Sequence, residues 1–331
     1  MKKLISTLAI FSTIFLIGCN DKQSIDTSTK STQTPEKILT YPYTGEVTSE
    51  NLSDLTPYMT IIENSKSARP QSGLSGADII YETSAEGGIP RFLALFHKNS
   101  PNKLGPIRSV RPYFLTLSKE HALPIAHCGG SSEALKDIKN DSSLMSLNEM
   151  SNSSFYYRDT KRTAPHNLYS SSDLILKGIA SKNYNVSSKN FFDYSQEPLA
   201  HSTESATDIS VVTNRTYTTD YKFENGKYIK YMDGEIAIDA NNNDPLSFKN
   251  VIVQRTNINL NSDGTHLDIN LIGSGDGFLF IDGKKMNITW SKDSEYDKTK
   301  FYDSEGNNLT LAPGNTIINI IDTNGKVQIN N

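Results

Sequence analysis

Apolar positions in the first half of the chain come in short blocks. Ala77-Asp78-Ile79-Ile80-Tyr81-Glu82 and Phe92-Leu93-Ala94-Leu95-Phe96 are nearly continuous runs that predict buried strands, with a turn at Gly87-Gly88 between them. Residues 112–122 place Phe114, Leu115 and Leu117 on a helical period, and this helix feeds a short strand over 123–128. Gly129-Gly130-Ser131-Ser132-Glu133 then supplies a turn, a capping serine and a first-turn acid for a helix over 134–138. A further helix is expected over 171–182, where Ser170 and Asp173 have capping-box spacing.

After His201 the helical period disappears. Tyr221-Lys222-Phe223 and Tyr228-Ile229-Lys230-Tyr231 flank Asn225-Gly226, a strong hairpin signal. Asp233-Gly234, Asp263-Gly264, Asp282-Gly283 and Asn324-Gly325 punctuate β-favouring runs such as 251–253 and 317–321. The expected fold class is an α/β, or α+β, first half followed by an all-β second half built as a sandwich or partly open barrel. Four segments follow: 1–18 as a lipoprotein signal peptide, 19–44 as a lipidated cysteine with a Ser/Thr-rich tether, 45–200 as the α/β domain and 205–331 as the β-rich domain.

The leader carries the first functional signal. Met1-Lys2-Lys3 precedes an apolar run over 4–17, too short for a comfortable membrane span, and Leu16-Ile17-Gly18-Cys19 resembles the lipobox of bacterial lipoproteins. Cys19 is therefore the expected lipidation site, and palmitate-type acyl chains would hold the protein on a membrane. Cleavage after residue 18 removes Lys2 and Lys3, so the net charge moves from −4 to −6. That acidity argues against nucleic acid as a partner. The expected location is the outer face of the cytoplasmic membrane of a Gram-positive-type bacterium, with an envelope protein or an anionic wall component as partner.

Candidate chemistry lies in the first half. Of eight arginines, six fall between residues 69 and 162. A guanidinium fork suits carboxylate and phosphate, so Arg91, Arg108 and Arg111 are candidate ligand contacts, although local carboxylates would occupy the same arginines equally well. His127 with Gly129, Gly130 and Ser131 forms a strand-end turn into a helix start, a geometry receptive to an anion. Glu86 and His166 complete the binding set. Glu82 and Glu86 also invite a paired-carboxylate reading. The leading expectation is a binding or regulatory module rather than an enzyme, with a glycan hydrolase using Glu82 and Glu86 as the alternative. No cofactor is called for. The six histidines lack zinc spacing, and the calcium-like start at Asp239-x-Asn241-x-Asn243 is broken by Asp244, so no metal is expected.

Motifs along most of the chain resemble the YerB-like lipoprotein family of Gram-positive bacteria. They include Ala68-Arg69-Pro70-Gln71-Ser72-Gly73-Leu74, Ala85-Glu86-Gly87-Gly88 with Arg91-Phe92, Gly105-Pro106-Ile107-Arg108-Ser109-x-Arg111, and Ala164-Pro165-His166-Asn167-Leu168-Tyr169. Asp282-Gly283-Lys284, Thr289-Trp290-Ser291-Lys292 and Leu311-x-Pro313-Gly314 continue the match. The resemblance implies two domains of unknown function on a lipoprotein and no transferable reaction.

Overall fold

The structure is a computed structural model that describes residues 38–197 and 204–331. The leader, Cys19, most of the expected tether and the expected end of the first domain at residue 200 lie outside the described residues. The last residues assigned to the tether belong to the body, because Tyr41 and Tyr43 are buried and Tyr43 joins the core.

In the first half, β1 (Tyr58–Glu63), β2 (Ile79–Ser84) and β3 (Pro90–Phe96) are buried along almost their whole length. That explains why β2 and β3 read as nearly continuous apolar runs, since strands covered on both faces have no polar side to alternate with. Gly87 and Gly88 sit at φ 65° and 72° in the tight turn between β2 and β3, which a residue with a Cβ enters only with strain. Pro112 opens α1 (Pro112–His121), and Ala122 ends it in the left-handed region. Next come β4 (Ile125–His127), α2 (Ser132–Asn140) and β5 (Ser146–Asn148). The cap of α3 (Ser172–Ser181) is Ser171, one residue later than the capping-box spacing suggested, while the Ser170 hydroxyl donates to Phe155 O instead.

Among the described residues, the chain from 204 onward contains no α-helix. The hairpin of β6 (Asp208–Val212), β7 (Thr218–Glu224) and β8 (Lys227–Met232) turns at Asn225-Gly226, both at positive φ, as its sequence predicts. The remaining long strands are β9 (Asn250–Thr256), β10 (Gly273–Ile281), β11 (Lys284–Lys292), β12 (Lys300–Tyr302), β13 (Thr316–Asp322) and β14 (Lys326–Ile329). The α/β first half and all-β second half agree with the sequence reading of fold class.

The two halves meet in one sheet. Its strand order is β12-β11-β10-β9-β13-β2-β3-β1-β4-β5, and β13 runs parallel to both of its neighbours, β9 and β2. One face packs Tyr81, Leu93, Leu95, Ile318 and Ile320 against Phe114, Leu115 and Leu117 of α1. The other packs Ile80, Phe92, Ile317 and Val253 in one cluster with Tyr221 and Tyr228 of the second sheet and Ile175 and Ile179 of α3. The second sheet orders β8-β7-β6-β14, so the architecture is layered, with helices on one face and mainly a sheet on the other.

Neighbouring residues of β2 reach opposite faces. On the helix face the Tyr81 hydroxyl is 3.1 Å from Glu120 Oε1, and Glu120 Oε2 lies 2.8 Å from Lys292 Nζ with both charged side chains at 0% exposure. Thr299 completes the carboxylate, donating from its amide at 3.1 Å and its hydroxyl at 2.7 Å. Removing one member leaves the other charge buried and alone, which costs about 3–5 kcal/mol. Lys292→Met is therefore expected to lose about that much unfolding free energy in urea titration, and Glu120→Gln combined with Lys292→Met to regain a large part of it.

Candidate functional site

The segment from Gly105 to Arg111 crosses the end of the sheet. Arg108 N donates to Ile61 O at 3.1 Å, Cys128 N to Arg108 O at 3.0 Å and Val110 N to Gly129 O at 3.1 Å, so the segment is stitched between the end of β1 and the chain leaving β4. Gly130 permits this approach, because a Cβ there would stand 2.9 Å from Val110 Cγ1. The crossing brings the sequence-predicted arginines to the ends of β1 and β3, in two clusters.

The first cluster is built on Glu63, the last residue of β1 and almost fully buried. Its Oε1 accepts from the Ser65 hydroxyl at 2.7 Å and lies 2.9 Å from His166 Nδ1, while its Oε2 lies 3.3 Å from Arg108 Nε. Arg108 and His166 stay 29% and 26% exposed at the side chain. Among the described residues, the two Nη groups of Arg108 and Nε2 of His166 have no partner. One buried carboxylate thus holds an arginine and a histidine by their inner atoms, leaving the outer atoms toward solvent. Sequence reading missed Glu63, which sits at the end of an apolar run with no motif of its own.

The second cluster is internal. Glu86 Oε2 is 2.7 Å from Arg91 Nη2, and its Oε1 is in close contact with Arg111 Nε. One further nitrogen of each guanidinium goes inward, Arg91 Nη1 to Ser109 O at 2.9 Å and Arg111 Nη1 to Val110 O at 2.7 Å. Burial pushes the Glu86 carboxyl up, but the Arg111 hydrogen bond and the charges of Arg91 and Arg111 outweigh it and hold the group below its usual range. His266 Nε2 approaches Glu86 Oε1 at 3.7 Å from a turn it shares with Asp263. It lies 180 positions along the chain from Glu86, and the short β-turn around it gave no signal of this neighbour.

Several expectations change here. His127 is not a ligand contact. It is fully buried, with Nδ1 at 2.7 Å from Gly129 O and Nε2 at 2.7 Å from the Ser146 hydroxyl. The Gly129 amide already donates to Asn148 Oδ1 at 2.9 Å and the Ser131 amide to Val110 O at 3.3 Å, while the Ser131 hydroxyl caps α2. The anion-receptive turn is consequently satisfied from within. Glu82 is sealed against Lys230 at 2.6 Å, and Glu86 is held by Arg91 and Arg111, so the two are not arranged as an acid and a base flanking a glycosidic bond. Cys128 is half-buried. Burial, then the Glu149 contact, pushes its thiol up to about 11, which makes it a poor nucleophile. Asp239 spends its carboxylate on the amides of Gly73 at 2.9 Å and Ser75 at 2.8 Å, tying the two halves together.

This arrangement, a shared sheet with an α/β half, a β half and a charged crossing segment, defines a two-part body whose parts correspond to known sequence families. Residues 43–185 match the N-terminal domain, and residues 207–318 the C-terminal domain, of the protein family of unknown function DUF3048. The chain belongs to this YerB-like family. It is 30% identical over 329 residues to a Bacillus subtilis (strain 168) protein provisionally named lipoprotein YerB, covering 97% of this chain and 96% of that one. The crystal structure of the B. subtilis YerB protein matches with a TM-score of 0.79, covering 88% of this chain and 99% of that one at 30% identity.

Burial lowers His127 from 6.5 to about 4, so the unfolded chain binds the extra proton in that window. The associated stability is complete above about pH 6.5 and lost as the pH falls toward about 4. Urea denaturation at pH 7 and pH 5 should show that His127→Gln loses about 2 kcal/mol less than the parent over this step.

Proposed function

We propose that the chain is a lipid-anchored binding module of the cell envelope, which captures an anionic group of a partner protein or wall component through Arg108 and His166. The observation that carries this reading is the Glu63 cradle, whose two held side chains present unpartnered ring and guanidinium nitrogens outward. Arg108 offers a guanidinium fork suited to carboxylate or phosphate, and His166 adds a donor beside it when protonated at Nε2. Arg91, Arg111 and Glu86 act as the frame that fixes the crossing segment, and His127 with residues 129–131 fixes its other edge. A body with a net charge of −6 once the leader is removed disfavours long polyanions, so recognition of a single anionic group is favoured over tracking along a polymer.

The anchor rests on the lipobox at Cys19 and on the lipoprotein name of the B. subtilis relative. Acylation at that cysteine places the body at the outer face of the cytoplasmic membrane of a Gram-positive-type cell. A glycan hydrolase reading finds no support in the paired states of Glu82 and Glu86.

Two measurements test this. Cys19→Ser is expected to move the protein from the membrane fraction to the soluble fraction. Binding of the full chain to inorganic phosphate, acetate and anionic wall polymer, measured by calorimetry, should weaken by roughly 10- to 100-fold for Arg108→Ala, with a smaller loss for His166→Ala. Equal binding by the parent and the double variant, at unchanged melting temperature, would refute the assignment.

A further inference from the structure

Lys230 extends from β8 into the core between the two sheets. Its Nζ lies 2.6 Å from Glu82 Oε2, 3.2 Å from Thr219 Oγ1 and 3.3 Å from the Tyr221 hydroxyl. The rings of Tyr221 and Phe92 stand 5.0 Å and 5.7 Å from the same nitrogen. The other oxygen of Glu82 accepts from Asn64 Nδ2 at 2.9 Å. Lys230, Glu82 and Asn64 are 0%, 2% and 1% exposed. The Asn64 carbonyl oxygen in turn accepts from Arg69 Nε at 3.1 Å and Gln71 Nε2 at 3.0 Å. An amine, a bridging carboxylate and a primary amide whose carbonyl oxygen accepts two hydrogen bonds therefore share one buried core.

We propose that Lys230 and Asn64 are joined by an intramolecular isopeptide bond, formed with Glu82 as proton carrier and with release of ammonia. Glu82 first takes a proton from the Lys230 ammonium, leaving a lone pair on Nζ. That nitrogen attacks Asn64 Cγ, and the charge developing on Oδ1 is held by Arg69 and Gln71. Glu82 then relays a second proton from Nζ to Nδ2, the Cγ–Nδ2 bond breaks, and ammonia leaves. The starting ammonium, carboxylate and amide carry no net charge, and neither do the products, a secondary amide, a carboxylic acid and ammonia. No oxidant or external reactant is needed.

Two physical arguments favour the reaction at this place. Burial lowers the Lys230 amine below its ordinary range, so the nucleophilic neutral form is within reach, although the Glu82 charge opposes this. The product also removes both charges from a core where an ion pair offsets its desolvation only with excellent geometry. The bond would join the end of β1 to β8, a covalent link between the two halves of the chain.

Tryptic mapping of the full chain by tandem mass spectrometry decides the matter. Without the bond, peptides 38–66 and 228–230 separate, since trypsin cleaves after Lys66, Lys227 and Lys230. With it, Lys230 resists cleavage and the peptides 38–66 and 228–249 appear as one branched species, lighter than their sum by one ammonia. Lys230→Arg keeps a cation beside Glu82 but has no such amine, and should yield only linear peptides. Recovery of unmodified linear peptides covering Asn64 and Lys230 from the parent protein would overturn the proposal.

Discussion

The parallel pairing of β13 with β2 places residues 316–320 against residues 79–83, so the centre of the main sheet closes only when the two ends of the described chain come together. Such a contact has one of the largest loop-closure costs in the molecule, because more than 230 positions separate the paired strands. The sheet counters that cost by covering β2 on both sides with groups from the other half. Tyr81 reaches Glu120, which Lys292 holds on the helix face, while Glu82 reaches Lys230 on the sheet face. The hydrophobic layers and the polar clamps of the two faces thus converge on the same two residues of one strand.

This arrangement explains why the local patterns could be read and the assembly could not. The apolar runs of β2 and β3, the helix of Phe114 and Leu117, and the Asn225-Gly226 hairpin each depend on neighbours within a few positions, so their periods and turn residues show in the sequence. The pairing of β13 with β2 depends on a match across more than 230 positions that no period records. The same distinction holds among the charges. Arg108 and Arg111 are visible as a motif, but their fates divide according to whether Glu63 or Glu86 stands opposite, and that depends on how β1, β3 and the crossing segment are registered. Lys230 sits in a strand that reads as an ordinary alternating hairpin arm, and only the stacking of the second sheet turns it into a buried charge.

The crossing segment also shows how one stretch can serve two purposes. Its backbone fills the gap between the ends of β1 and β4, with Arg108 bonded to Ile61 and Cys128, and Val110 bonded to Gly129. Its two arginines then part company: Arg111 joins Arg91 of β3 around Glu86, while Arg108 joins His166 on Glu63. Groups held by a buried carboxylate lose little further freedom when they meet a partner, so their outer atoms are preorganised.

Tyr41 and Tyr43 give the N-terminal edge of the body a mechanical character. Phe191 N bonds to Pro42 O at 3.3 Å, Gly314 N bonds to Thr44 O at 2.8 Å, and a Cβ at Gly45 would collide with the Tyr194 ring. A pull on the N-terminal edge of the described body would therefore act at a point gripped by segments from both halves. Any load arriving there is shared among those contacts rather than carried by one strand.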